Sequence, residues 1–285
     1  MTLIVHKTPC VYWRIPCEVS ARLHGNPTIW WEAARLGVTS TVVSASLPVS
    51  ARFALWFTAF AAGRASLDEA RDRIVEDDAA HDVVGLPEQD EPVPLILGLG
   101  LLRAEGARAA GLALPVAGDP LGLAGPAAFN NEVLEYGEGV VLDGGELGLV
   151  PHRAGAGVQW LALPAATHRQ VPDPSEAEAA LRHSLLGTTE ALVDLDVARW
   201  RPEVADELMA LRKSTDLVLP HAMAPRAVRL AGLAARCRVI VELALEDDGG
   251  AVTATEIDAR REALLPLDHA ARRGLVAACA YPFDA

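Results

Sequence analysis

Near the middle of the chain, Gly118, Pro120, Gly122, Gly125 and Pro126 separate an apolar, strand-like stretch from a helix-like one. A glycine-rich turn at such a junction can aim backbone N–H groups at an anion, and the dipole of the following helix strengthens the attraction. Asp119, Asn130 and Asn131 add polar side chains at the same place. The loop's expected ligand-binding set is therefore Gly118, Asp119, Gly122, Gly125, Asn130 and Asn131, and its ligand a small anionic metabolite. The spacing argues against a phosphate cradle. Gly118-x3-Gly122-x2-Gly125 matches neither the dinucleotide fingerprint nor the P-loop, and the P-loop's Lys and Ser/Thr are missing. Asp119 would also repel phosphate. The competing reading is a structural corner that needs positive φ at its glycines.

A second set is cationic. Arg226 and Arg229 open one C-terminal helical segment, and Arg272 and Arg273 stand near the end of the next. Folding the chain about Gly249 and Gly250 brings all four towards one end. That end is an anion- or partner-binding surface, or else a solvated and internally paired face.

Neither set contains a catalytic group. His81 is followed by Asp82, but adjacent side chains rarely point at one another. No histidines stand at metal-ligand spacing, and there is no Gly-x-Ser-x-Gly elbow, kinase signature or zincin signature. The expectation is no catalytic residue, no metal and no cofactor.

These residues must be positioned by a chain of 285 residues that is 51% hydrophobic but only 5% aromatic, so its core is built mainly from Ala, Leu and Val. All but Lys7 and Lys213 of the 25 basic residues are Arg, as GC-rich codon usage produces. A net charge of -13 makes nucleic acid a poor first partner. The longest apolar runs fall short of the roughly 20 residues that span a bilayer, which points to no membrane association. Cys10, Cys17, Cys237 and Cys279 have no paired metal spacing. The cytoplasm is the expected compartment.

Residues 1–39 are atypical, with Trp13, Trp30 and Trp31 and no clean period. They read as a poorly ordered N-terminal extension or as sequence upstream of the true start. Residues 40–170 then read as a mixed α/β domain. It holds a short β run over 41–45, a helix over 49–62, a helix opened by the capping box Ser66 to Glu69, an acidic linker over 88–91 and an all-apolar helix over 94–102. A strand over 109–114 leads through the loop to a helix over 127–136. Strands over 139–142, 147–151 and 158–163 follow, with a hairpin turn at Asp143, Gly144 and Gly145.

Residues 171–285 read as a helical domain. One helix is opened by a capping box at Ser175 and Glu178, a short one covers 202–213, and an antiparallel hairpin is formed by 224–245 and 255–279, with Pro266 kinking or splitting its second arm. The fold class is α+β: a small mixed β-sheet with flanking helices, followed by a mainly helical C-terminal domain or subdomain.

The segments Asp77-Asp-Ala-Ala-His-Asp-Val-Val-Gly-Leu86 and Gly118-Asp-Pro-Leu-Gly-Leu-Ala-Gly-Pro-Ala-Ala-Phe-Asn130 resemble conserved uncharacterised proteins of high-GC, actinobacterial-type bacteria. The resemblance implies no activity, cofactor or catalytic residue. The expected function is that of a non-catalytic binding or scaffolding protein. The alternative is an enzyme or sensor of a small anionic metabolite that uses the 118–131 loop. A third reading is protein docking, less readily DNA contact, through the arginine end of the helical hairpin.

Overall fold

The computed structural model describes residues 46–123, 125–167, 171–194, 217–246, 254–280 and 282–283. The expected strand over 41–45, the N-terminal extension, the short helix over 202–213 and the 247–250 turn lie outside these residues.

Pro48 fixes the entry to helix α1 (Val49–Ala61), and every residue from Val49 to Phe60 is buried. Helix α2 (Leu67–Val75) starts at Ser66, whose Oγ accepts a hydrogen bond from the Glu69 backbone N–H at 3.1 Å. Strands β1 (His81–Val84) and β2 (Val93–Pro94) then bracket the acidic linker, and helix α3 (Leu95–Ala104) follows directly. Helix α3 departs from the all-round burial expected of its composition. Leu95, Gly98, Leu99 and Leu102 face the core, whereas Leu97 is 58% exposed.

Strand β3 (Ala109–Ala113), helix α4 (Ala127–Tyr136) and strands β4 (Gly139–Asp143), β5 (Leu147–Ala154) and β6 (Gly157–Pro164) complete the sheet. The strand order is β2-β1-β6-β5-β4-β3. Strands β3 to β6 form an antiparallel meander, and β1 pairs parallel with β6, with His81 opposite Val158 and Val83 opposite Trp160. Strands β1 and β2 are the elements the sequence pattern misses, because runs of four and two residues are too short to show a period. Helix α4 covers one face of the sheet through Phe129 and Val133, and Gly148 of β5 leaves room for the Phe129 ring.

The other face carries α1 and the C-terminal helices α5 (Pro174–Asp194), α6 (Pro225–Glu246) and α7 (Ala254–Ala280). Helix α5 begins earlier than its capping box suggests. Asp173 is the cap, accepting from the N–H groups of Ser175 at 2.7 Å and Glu176 at 3.1 Å. Helices α6 and α7 pack as the expected antiparallel pair, close enough at Gly274 that an added Cβ would lie 3.3 Å from Leu230 and 3.4 Å from Ala234. Helix α7 is not split at Pro266, which sits exposed within a continuous helix. One hydrophobic core runs from Leu47 through the sheet to Cys279, so the C-terminal helices share it with α1.

The 114–126 corner is built on glycine geometry. Gly118, Gly122 and Gly125 all have positive φ, and a Cβ on Gly122 would lie 2.5 Å from the Leu112 carbonyl oxygen and 2.7 Å from the Ala113 Cα. Gly118 and Gly125 have open space around the same position. Gly118→Ala and Gly125→Ala should each cost about 1–2 kcal/mol from backbone conformation alone. Gly122→Ala should cost about 4 kcal/mol or more, because a backbone clash adds to the strain. Urea denaturation midpoints of the three variants check this order.

Candidate functional site

Asp119 closes a tight turn through reciprocal backbone hydrogen bonds with Val116, both 3.0 Å. That turn presents its carboxylate to one side of α7. Arg272 Nη1 lies 3.3 Å from Asp119 Oδ2, His269 Nε2 lies 3.1 Å from the same oxygen, and Arg273 Nη1 lies 3.5 Å from Oδ1. Arg272 is buried, and it also donates to the Leu114 carbonyl at 2.9 Å and to Asp268 at 3.0 Å. One carboxylate of the glycine loop and two arginines of the C-terminal set thus form a clasp between the sheet corner and the helical half. Asn130 turns inward and accepts from the Gly125 N–H at 2.9 Å, whereas Asn131 is exposed on α4.

The four arginines divide between two places. Arg226 pairs with Glu178 of α5 at 3.4 Å, and Glu178 also takes Arg182 at 2.7 Å. Arg229 lines a groove between α5 and α6, with Leu185, Leu186 and Leu233 as its apolar surface and Arg182 and Arg236 beside it. The groove encloses about 550 Å³. The split follows from side-chain direction: α6 presents Arg226 and Arg229 to α5, while α7 presents Arg272 and Arg273 to the β3–α4 corner.

A third cluster escapes sequence reasoning. Buried Arg52 of α1 pairs with Glu76 and, at 3.1 Å, with Asp78. Asp78 also accepts from Arg153 of β5 and, at 3.0 Å, from His81 Nε2. On the other side of the ring, Trp160 Nε1 donates to His81 Nδ1 at 3.3 Å. Nδ1 therefore carries no proton and the imidazole is neutral, with its proton on Nε2. Asp82 cannot serve as this partner because successive strand residues face opposite sides of the sheet. The signal in the sequence was Arg52, a lone cation inside the apolar run Val-Ser-Ala-Arg-Phe-Ala-Leu-Trp-Phe, which must find a buried anion. Both ring nitrogens of His81 are engaged, so the cluster as it stands holds structure together.

Burial pushes His81 below its ordinary pKa of 6.5, against the opposing pull of Asp78. Burial raises Asp78, but hydrogen bonds from His81 and Arg153 and the charges of Arg153 and Arg52 outweigh it, leaving the carboxyl below 3.8. Among the described residues, no cluster of His, Cys, Asp and Glu could hold a metal ion. No helix of the described residues is long and apolar enough to cross a membrane. Buried Cys237 has its thiol pushed up to about 11, and Cys279 is raised further, so neither is a thiolate at neutral pH.

An α+β architecture in which a mixed six-stranded sheet shares its core with a C-terminal helical region defines the class of this protein. Two family models match it: Rv1486c-like protein, N-terminal domain, over residues 50–177, and Rv1486c-like protein, C-terminal domain, over residues 175–276. The chain belongs to the Rv1486c-like family. No curated protein and no solved structure matches it.

Two outcomes are expected from these clusters. Asp119→Ala should cost about 1–3 kcal/mol by stripping buried Arg272 of one partner, measured by urea denaturation. Because the folded-state pKa of His81 is depressed, the unfolded chain takes up that proton first as pH falls through 6.5, and stability falls with it. Asp78 acts in the same direction below 3.8, where the advantage of its depressed pKa is lost. The stability difference between wild type and His81→Gln should therefore narrow from about pH 7.5 to about pH 5.5. Parallel stability curves for the two proteins would refute the neutral assignment.

Proposed function

We propose that this is a non-catalytic binding protein and that the groove between α5 and α6 is its docking surface. The observation that carries the reading is a local reversal of charge beside exposed apolar surface. The chain has a net charge of -13, yet Arg182, Arg229 and Arg236 line this groove, and its one carboxylate, Glu178, is already paired with Arg182 and Arg226. Leu186 stands 66% exposed among them. An apolar strip edged by guanidinium groups suits a protein segment with Leu-type side chains on one face and carboxylates beside them. The alternative, a small anionic metabolite at the 118–131 loop, has weaker support because Asp119 and Asn130 are already engaged within the protein.

The probe is a fluorescein-labelled amphipathic peptide with Leu at helical i, i+3, i+4 and i+7 positions and Glu flanking them. Fluorescence anisotropy should show binding that weakens with salt, since exposed charge pairs are screened. Arg229→Glu combined with Arg236→Glu should lower the affinity about tenfold or more, equivalent to about 1.4 kcal/mol. Binding of a duplex DNA oligonucleotide in place of the peptide, or unchanged peptide binding by the double variant, would sink the reading.

A further inference from the structure

We infer a second binding site, for a small zwitterion carrying one carboxylate and one ammonium group, in the pocket at the N-terminal end of α1. An α-amino acid with a small aliphatic side chain is the simplest such ligand. The pocket encloses about 230 Å³, smaller than the roughly 300–1,000 Å³ typical of drug-sized sites, and so suits a small metabolite.

Its charged walls come from separate parts of the fold. Glu138 stands between α4 and β4, Arg153 lies on β5, and Arg238 and Glu242 lie on α6. Leu47 and Val239 add apolar wall. Two guanidinium groups and two carboxylates thus face one small space. A simple anion there meets two carboxylates, and a simple cation meets two guanidinium groups. A molecule with both charges matches both pairs.

One orphaned polar atom supports a ligand rather than a closed structural network. Arg238 Nη2 donates to Glu242 at 3.3 Å, but Arg238 Nη1 is buried without a hydrogen-bond partner. Buried polar groups are rarely left in that state. A ligand carboxylate beside the Arg238 guanidinium would give it a further charged acceptor. No acidic residue occupies the first turn of α1, and Glu138 caps it from outside by accepting from the Ser50 N–H at 2.9 Å. Glu138 and Glu242 would hold the ammonium. Arg153 is steadied through Asp78, which also binds Arg52 and His81.

The test is thermal denaturation of the full chain with L-alanine and L-valine as probes, and acetate and methylammonium as half-ligands. A probe at about ten times its Kd should raise Tm by roughly 3–6 °C for a chain of this size. Acetate and methylammonium should each give less than half of that rise. Arg238→Gln should abolish the shift. Since that variant alters a largely buried side chain, Glu242→Gln, at a 59% exposed carboxylate, provides a second reading and should at least halve it. The inference is overturned by equal shifts from acetate and L-alanine, by no shift from either amino acid at about 50 mM, or by a full shift in both variants.

Discussion

Helix α1 is the constraint from which the rest of the structure follows. A helix buried on every side from Val49 to Phe60 needs apolar cover all round, and the sheet alone supplies one side. The C-terminal helices and α2 supply the others, which is why a single core joins residues that the family models divide near residue 175. The three polar residues carried into that core are treated differently. Arg52 is neutralised by Glu76 and Asp78, and Thr58 accepts from the Ala110 N–H at 3.0 Å on the edge strand β3. Ser50 keeps an unpartnered hydroxyl.

Charge is distributed by the same logic. Two guanidinium groups drawn inside find carboxylates: Arg52 at Asp78, Arg272 at Asp119 and Asp268. Such pairs offset their own desolvation rather than adding much net stability, and their main effect is to fix which surfaces meet. Arg272 shows this clearly. By also donating to the Leu114 carbonyl it locks α7 to the end of β3, and so sets the position of the glycine corner against the helical half. The α5–α6 groove has the opposite balance, with more cations than its one carboxylate can pair.

Most of the fold is legible in the residues themselves. The period of Phe53, Trp56, Phe57 and Phe60 marks α1, Ser66 marks the start of α2, and Gly144 and Gly145 mark the β4–β5 turn with positive φ. What escapes is short or non-local. Strand β1 has four residues and pairs with β6 more than seventy positions away, so no local pattern announces it. The Asx cap at Asp173 is hidden by a better-looking capping box at Ser175. The glycine corner is visible as a corner, but its partners are not.

By itself, the sequence determines the α+β class, the helical hairpin and the glycine corner, because these rest on periodicity, turn chemistry and backbone restriction over a few residues. Only the tertiary structure decides which charges meet. Asp119 reaches Arg272 across 153 positions, and Arg52 reaches Asp78 across 26. It also decides that Arg226 and Arg229 face α5 while Arg272 and Arg273 face the sheet corner. The reason is physical: helix and turn propensities act between neighbours along the chain, whereas desolvation and ion pairing are settled only when packing brings distant side chains within a few ångströms.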